Sequence, residues 1–223
     1  PIFAQNDYSK ALDYFKKSLK LDLSFFGENH PSVASGYYNI GYVYFAQGDY
    51  SKALEYFEEV LKIRLSVYGE NHSRVASVYN DIGEIYSVQG DDFKALDYFK
   101  KSLKIVLSVY GENHSQVSSI YDHIGEIYFA QKDYSKALYY FEESLKIRLS
   151  LFGENHPEVA LSYYSIGSLY IIQGDKSKAL NYYEKSLKIR LSVYGENHPL
   201  TKEIMDLINV ANSKVLQSPE TTK

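Results

Sequence analysis

The tetrapeptide Gly-Glu-Asn-His begins at Gly27, Gly69, Gly111, Gly153 and Gly195, each copy 42 residues after the last. A fixed period of about 20 to 50 residues marks a stacked repeat array, in which each repeat buries its apolar face only against its neighbours. The chain between the copies has to supply one supersecondary unit per period.

That unit is a pair of helices. From Tyr8 to about Phe25 the apolar residues Ala11, Leu12, Phe15, Leu19 and Leu23 recur at helical spacing, and Gly27 supplies the left-handed residue on which helices often end. After Glu28-Asn29-His30, Pro31 stands at the first position of a second helical segment that runs to Gln47, where Gly48-Asp49 breaks it. The pattern recurs as Ser73 to Gln89 then Asp91 to Tyr110, Ser115 to Gln131 then Asp133 to Phe152, and Pro157 to Gln173 then Asp175 to Tyr194. Short connectors make the two helices of a repeat, A and B, antiparallel neighbours. One all-α array is therefore expected over residues 1–217. It comprises a truncated first repeat over 1–26, full pairs over 31–68, 73–110, 115–152 and 157–194, and a capping helix over 199–217. The cap takes its apolar set from Met205, Ile208 and Val215 and puts Asn209 and Asn212 where the A helices carry glycine and tyrosine; residues 218–223 read as a disordered tail. The opening residues align with Tyr44 to Lys52, so the chain reads as a segment of a longer array.

Each A helix repeats an aromatic residue, an Ile-Gly pair and a tyrosine, as in Tyr37, Ile40-Gly41, Tyr44 and Tyr121, Ile124-Gly125, Tyr128. A mid-helix glycine costs about 1 kcal/mol against alanine, so its recurrence at one phase requires close approach of a partner helix. The B helices offer the matching Ala53, Ala95, Ala137 and Ala179, each followed four positions later by Phe57, Phe99, Phe141 or Tyr183.

These residues resemble the tetratricopeptide repeat (TPR) family, whose signature of aromatic, Leu-Gly, Tyr, Ala and aromatic residues spans a helix-turn-helix of about 34 residues. The longer period and the connector Phe-Gly-Glu-Asn-His-Pro-x-Val-Ala, intact at Phe26 to Ala34 and Phe152 to Ala160, resemble the variant found in kinesin light chains. The resemblance implies an α-α superhelix with the A helices on its concave face, and ligands lying across the A-helix residues that flank the Ile-Gly pair. The peptide-binding groove then consists of Tyr38, Asn39, Tyr42, Phe45, Asn80, Asp81, Glu84, Asp122, His123, Glu126, Tyr164 and Ser168. Departures from the family pattern are Asp92 and Lys176 at the A-B turn, Lys132 in place of the turn glycine, and Ser102, Ser144 and Ser186 where alanine is usual; looser turns are expected there.

A net charge of −4 and a pI near 5.9 argue against a nucleic-acid partner, which calls for a basic face. With no cysteine there is neither a disulfide framework nor a thiolate site. No apolar run approaches the roughly 20 residues of a membrane span. The Glu-Asn-His series is the sharpest metal or catalytic candidate, but equivalent positions in successive repeats lie about 15–20 Å apart and cannot converge on one ion. Its structural reading is that Asn29 and His30 cap the next A helix. No phosphate loop, dinucleotide fingerprint or nucleophile elbow is present. No catalytic residue, metal or cofactor is expected, and a cytoplasmic location is.

The expected function is a non-catalytic scaffold for a peptide or protein segment. The groove has an aromatic first turn in Tyr38, Tyr42 and Phe45 and an acidic middle in Asp81, Glu84, Asp122 and Glu126, which favours a ligand with Lys or Arg and an apolar residue near Tyr42. The alternative for these positions is an ordinary solvated face. His123, between Asp122 and Glu126, is either a pH-sensitive element or a plain polar residue. The basic residues, Arg64 and Arg190 among them, are expected on the solvated convex face of the B helices. The competing function is self-assembly, through Leu12, Phe15 and Leu19 of a first helix without its covering A helix.

Overall fold

A computed structural model describes residues 5–213. Among these the chain forms ten helices and no strand: α1 (Gln5–Phe26), α2 (Pro31–Gln47), α3 (Tyr50–Tyr68), α4 (Ser73–Val88), α5 (Asp92–Tyr110), α6 (Ser115–Ala130), α7 (Tyr134–Phe152), α8 (Pro157–Ile172), α9 (Lys176–Tyr194) and α10 (Pro199–Ser213). The tail over 218–223, the end of the capping helix and Val215 lie outside the described residues. Two compact units divide the chain, Pro1–Gly111 with α1 to α5 and Glu112–Lys223 with α6 to α10. Within each, every helix packs on the one before it. The first unit buries Val33 and Ile40 of α2, Phe57, Val60 and Ile63 of α3, and Ile82 and Ile85 of α4 in one seam. In the second, Ala137 and Phe141 of α7 meet Ile166 and Leu169 of α8, and Val159 and Ala160 of α8 meet Ile189 of α9.

The repeated connector is a capping device, and its histidine performs the capping. His30, His72, His114 and His156 occupy the N-cap, and each accepts at Nδ1 the backbone N–H two residues on, at 3.1–3.2 Å. His198 does the same for Leu200. The imidazole is held by stacking on the last ring of the preceding helix, as in Phe26–His30 and Phe152–His156, both with centroids 4.3 Å apart. Asparagine has another role where its partner is seen: Asn113 donates to Ser150 Oγ at 3.0 Å. At the A-B turns Asp49, Asp91, Asp133 and Asp175 are N-caps rather than first helical residues, each accepting the N–H three residues on. Lys132 adopts the left-handed conformation, φ 63°, in the place where Gly48, Gly90 and Gly174 stand at the other turns.

The mid-helix glycines answer to the aromatic residue of helix B. A Cβ on Gly125 would come within 2.7 Å of the Phe141 ring, whereas on Gly41 it would meet Tyr56 Cβ at 3.1 Å. Ser102 and Ser186 do not loosen their repeats: both are buried and donate to A-helix carbonyls, Ala76 O at 2.8 Å and Ala160 O at 2.7 Å.

Both terminal helices differ from expectation in which face they bury. Leu19 of α1 is buried and Leu12, Phe15 and Leu23 pack into the first unit's core, so the large apolar residues left open are Tyr14, Leu21, Phe25 and Phe26. In α10 the buried positions are Thr201, Ile204 and Ala211, with Met205 and Ile208 only half-buried. An apolar stripe read at helical spacing leaves its centre uncertain by about one residue's rotation, and the neighbouring helix decides it.

Candidate functional site

The A-helix residues that flank the Ile-Gly pair are governed by arginines on the B helices. Tyr38, Asp122 and Tyr164 each meet an arginine 26 residues later: Arg64, Arg148 and Arg190. Arg64 of α3 lies over the Tyr38 ring at 5.3 Å and donates to the Arg74 carbonyl at 2.7 Å and Ser77 Oγ at 2.9 Å on α4. Arg190 of α9 lies over Tyr164 at 5.0 Å and donates to the Leu200 carbonyl and, at 3.3 Å, to Glu203 of α10. Arg148 of α7 pairs with Asp122 of α6 at 2.6 Å and Glu158 of α8 at 2.9 Å and donates to Ser162 Oγ at 2.8 Å. In the remaining repeat both members are replaced, Asn80 standing for the A-helix partner and Val106 for the arginine.

These arginines are not on a solvated face. The side chains of Arg148 and Arg190 are only 5% exposed, and each ties its own repeat to the next A helix. Asp122 is thereby committed to an internal ion pair. Burial pushes its carboxyl above the usual range despite the opposing guanidinium, with a smaller opposing contribution from His123, which lies half-buried beside it.

The other expected site residues gather in two notches, one in each unit. Notch one lies between α2 and α4, with Tyr42, Phe45, Phe57, Asp81 and Glu84 around a cavity of about 20 Å³. Notch two lies between α6 and α8, where Glu126, Phe129, Phe141, Tyr164, Ser165 and Ser168 surround about 210 Å³. Beside notch one, a trough of about 400 Å³ runs between α1 and α2 over Ala11, Phe15, Val43, Ala46 and the same Tyr42. Asn39 lies exposed on α2.

The polar groups of the notches differ in how they are satisfied. In notch two Ser168 Oγ donates to the Tyr164 carbonyl at 2.9 Å and accepts the Tyr183 hydroxyl at 3.2 Å, while the Tyr164 hydroxyl donates to Glu203 at 3.1 Å. In notch one the Tyr38 hydroxyl bonds the Asp81 carboxyl, but Asp81 Oδ2 is buried without a hydrogen-bond partner. Burial, then the charge of Glu84, pushes Asp81 up to about 7 against the opposing Tyr38 and Arg64. The same burial, with Asp81 next, raises Tyr38 to about 12. Asn80 donates to Glu84 at 2.7 Å, and its Oδ1 is also buried and unpartnered.

Sequence reasoning missed Phe57 and Phe141 as notch walls, because both carry the repeat signature and read as core. It also missed the arginine partners, whose signal is the matched change of Asn80 with Val106 against Asp122 with Arg148.

The tetratricopeptide repeat profile matches residues 2–66, 32–105, 74–150 and 117–192. The chain belongs to the tetratricopeptide repeat family. Comparison with curated proteins gives no match. Among solved structures, BtubC (BKLC) from P. vanneervenii is similar at a TM-score of 0.75 and 17% identity, over 97% of this chain and 95% of that one. Nearly identical TPR-like repeats assigned to a Podosopora anserina kinesin light chain are similar at 0.69 and 16% identity, over 85% and 90% of the two chains. MamA is similar at 0.58 and 20%, over 84% and 91%. At these identities the likeness shows the fold alone, a TPR solenoid of the kinesin light chain kind. Members of the family typically mediate protein–protein interaction and are typically not enzymes. Among the described residues no helix is long and apolar enough to cross a membrane.

Proposed function

We propose that the protein is a non-catalytic, cytoplasmic interaction scaffold whose A-helix faces bind a peptide or protein segment. The observation that carries this reading is the recurrence of the notch with different linings: equivalent positions hold Tyr42, Asp81 and Glu84 in one unit and Glu126, Ser165 and Ser168 in the other. A fold that keeps its joints constant while varying the residues around a cavity is built for recognition rather than for one reaction. Glu84 and Glu126, which line the notches, favour a ligand of positive charge, while Asp122 is neutralised by Arg148. Binding of a peptide library before and after combined Glu84→Lys and Glu126→Lys tests this. The preferred ligand charge should reverse, and an unchanged preference overturns the reading.

A second reading is self-association through α1. Leu21 is 59% exposed, whereas Ile63, its counterpart one period later on α3, is 3% exposed. Light scattering across concentrations should show growth that Leu21→Lys abolishes; a strict monomer at all concentrations removes this reading.

A further inference from the structure

Notch one and the α1–α2 trough share a wall, the ring of Tyr42. The trough has room for a large apolar side chain. The notch, at about 20 Å³, holds one group the size of a water or an ammonium, since a water needs roughly 10–15 Å³ of such space. Asp81, on the floor of the notch, has a buried Oδ2 with no partner, and so has the Oδ1 of adjacent Asn80. With Asp81 ionised both atoms are acceptors, so the group that suits them is a donor, and a buried acceptor left unmatched is costly.

We propose that notch one receives the ammonium group of a lysine whose peptide lays a neighbouring apolar side chain in the trough between α1 and α2. The proposal rests on the reading of the A-helix face as a peptide-binding surface and names what that surface selects. An ammonium supplies three donors on a compact head, and its methylene stem can lie along the rings of Tyr42 and Phe45, which stand 6.4 Å apart. The groups acting on Asp81 are Tyr38 from α2, Arg64 from α3 and Glu84 on its own helix, while α5 lays the Phe99 ring against Gly83. With no guest, the carboxyl competes with Glu84 and holds a proton near neutrality; an arriving ammonium displaces that proton. Binding is therefore tighter at pH 8 than at pH 6.

The test uses fluorescence anisotropy on peptides carrying one leucine and one lysine at varied separations, with matched sets in which arginine, acetyl-lysine or norleucine replaces the lysine. The lysine peptides should bind about ten-fold more tightly than their acetyl-lysine counterparts, the factor expected of one charge-assisted bond. Arginine should fall between, and Asp81→Asn should erase both the lysine preference and the pH dependence. Circular dichroism of the variant confirms that it is folded, and calorimetry of the wild type in two buffers should register proton release on lysine-peptide binding below neutral pH. Equal binding of lysine and acetyl-lysine peptides, an unchanged preference in Asp81→Asn, or no proton release overturns the proposal. Tyr42→Ala separates its failure from that of the parent reading. If the peptides bind without preference for lysine but lose affinity in Tyr42→Ala, the peptide-binding face stands and the lysine assignment falls; if none binds, both fall.

Discussion

Notch one and notch two occupy equivalent places two periods apart, with Tyr42 answering to Glu126, Phe45 to Phe129, Phe57 to Phe141, Asp81 to Ser165 and Glu84 to Ser168. Two phenylalanine pairs are constant because they belong to the packing: Phe57 and Phe141 are buried in the seam of their units, and Phe45 and Phe129 pack against it. The other three positions are free of that duty, and their side chains set volume and charge. Serines in place of two carboxylates, and a glutamate in place of a tyrosine ring, open the cavity from about 20 to about 210 Å³. The smaller notch leaves an acid unmatched, while the larger satisfies its hydroxyls internally. The arginines at equivalent positions also differ: Arg64 serves backbone, hydroxyl and ring, whereas Arg148 pairs with two carboxylates besides donating to a hydroxyl. The same helix pairs thus carry two differently lined notches.

The arginines give the largest expected contrast. Arg148→Ala leaves the largely buried Asp122 without its cation, and the more exposed Glu158 with it, and should cost about 3 kcal/mol in urea denaturation. Arg64→Ala, which strands no ion-paired carboxylate, should cost less than half of that. Combining Arg148→Val with Asp122→Asn copies the residues of the second repeat, Val106 and Asn80, and should recover much of the loss. If it recovers none, the two repeats are not alternative solutions to one packing problem.

The unmatched acid of notch one should show in the pH dependence of stability. A carboxyl raised to about 7 in the folded state binds protons that the unfolded chain has already released, so stability is full near pH 4 and falls as pH rises towards 7. The loss should be on the order of 2 kcal/mol between about pH 5 and pH 7, and Asp81→Asn should remove it. A wild-type profile that is flat in this window sinks the assignment of Asp81 as buried and unmatched.

Glycine to alanine changes compare the two seams. Gly125→Ala drives a Cβ into the Phe141 ring and should cost about 2 kcal/mol, whereas Gly41→Ala, with the longer 3.1 Å approach to Tyr56, should cost less. Thermal unfolding of the pair checks the order. His156→Ala removes a cap and a ring stack and should cost about 1 kcal/mol without changing peptide affinity in either unit. The smallest effect is a gain: Lys132→Gly relieves a left-handed lysine in the second unit at a turn where the first has Gly48, and should stabilise by up to about 1 kcal/mol.

Much of the architecture is legible in the order of residues, because local physics fixes it. A histidine before Pro31 or Ser73 has few partners but the N–H groups of the helix it precedes, and a glycine recurring at one phase of a helix demands a close neighbour. The arginines were not legible. Arg64 and Arg148 sit among lysines and glutamates on an amphipathic helix, and sequence spacing gives no sign that they turn towards the following A helix. The same holds for α1, where spacing alone leaves Leu12, Phe15 and Leu19 on an open face, whereas they pack inward and Leu21 and Phe25 remain outside.

By itself the sequence determined the repeat, its helix pairs and the joint that separates them, since the capping, turn and glycine requirements act within a few residues. Tertiary structure alone decided which charges remain available to a partner. The burial of Asp81 and the capture of Asp122 by Arg148 depend on side chains that meet across helices, and the energy of a charge is set by what surrounds it rather than by its place in the chain.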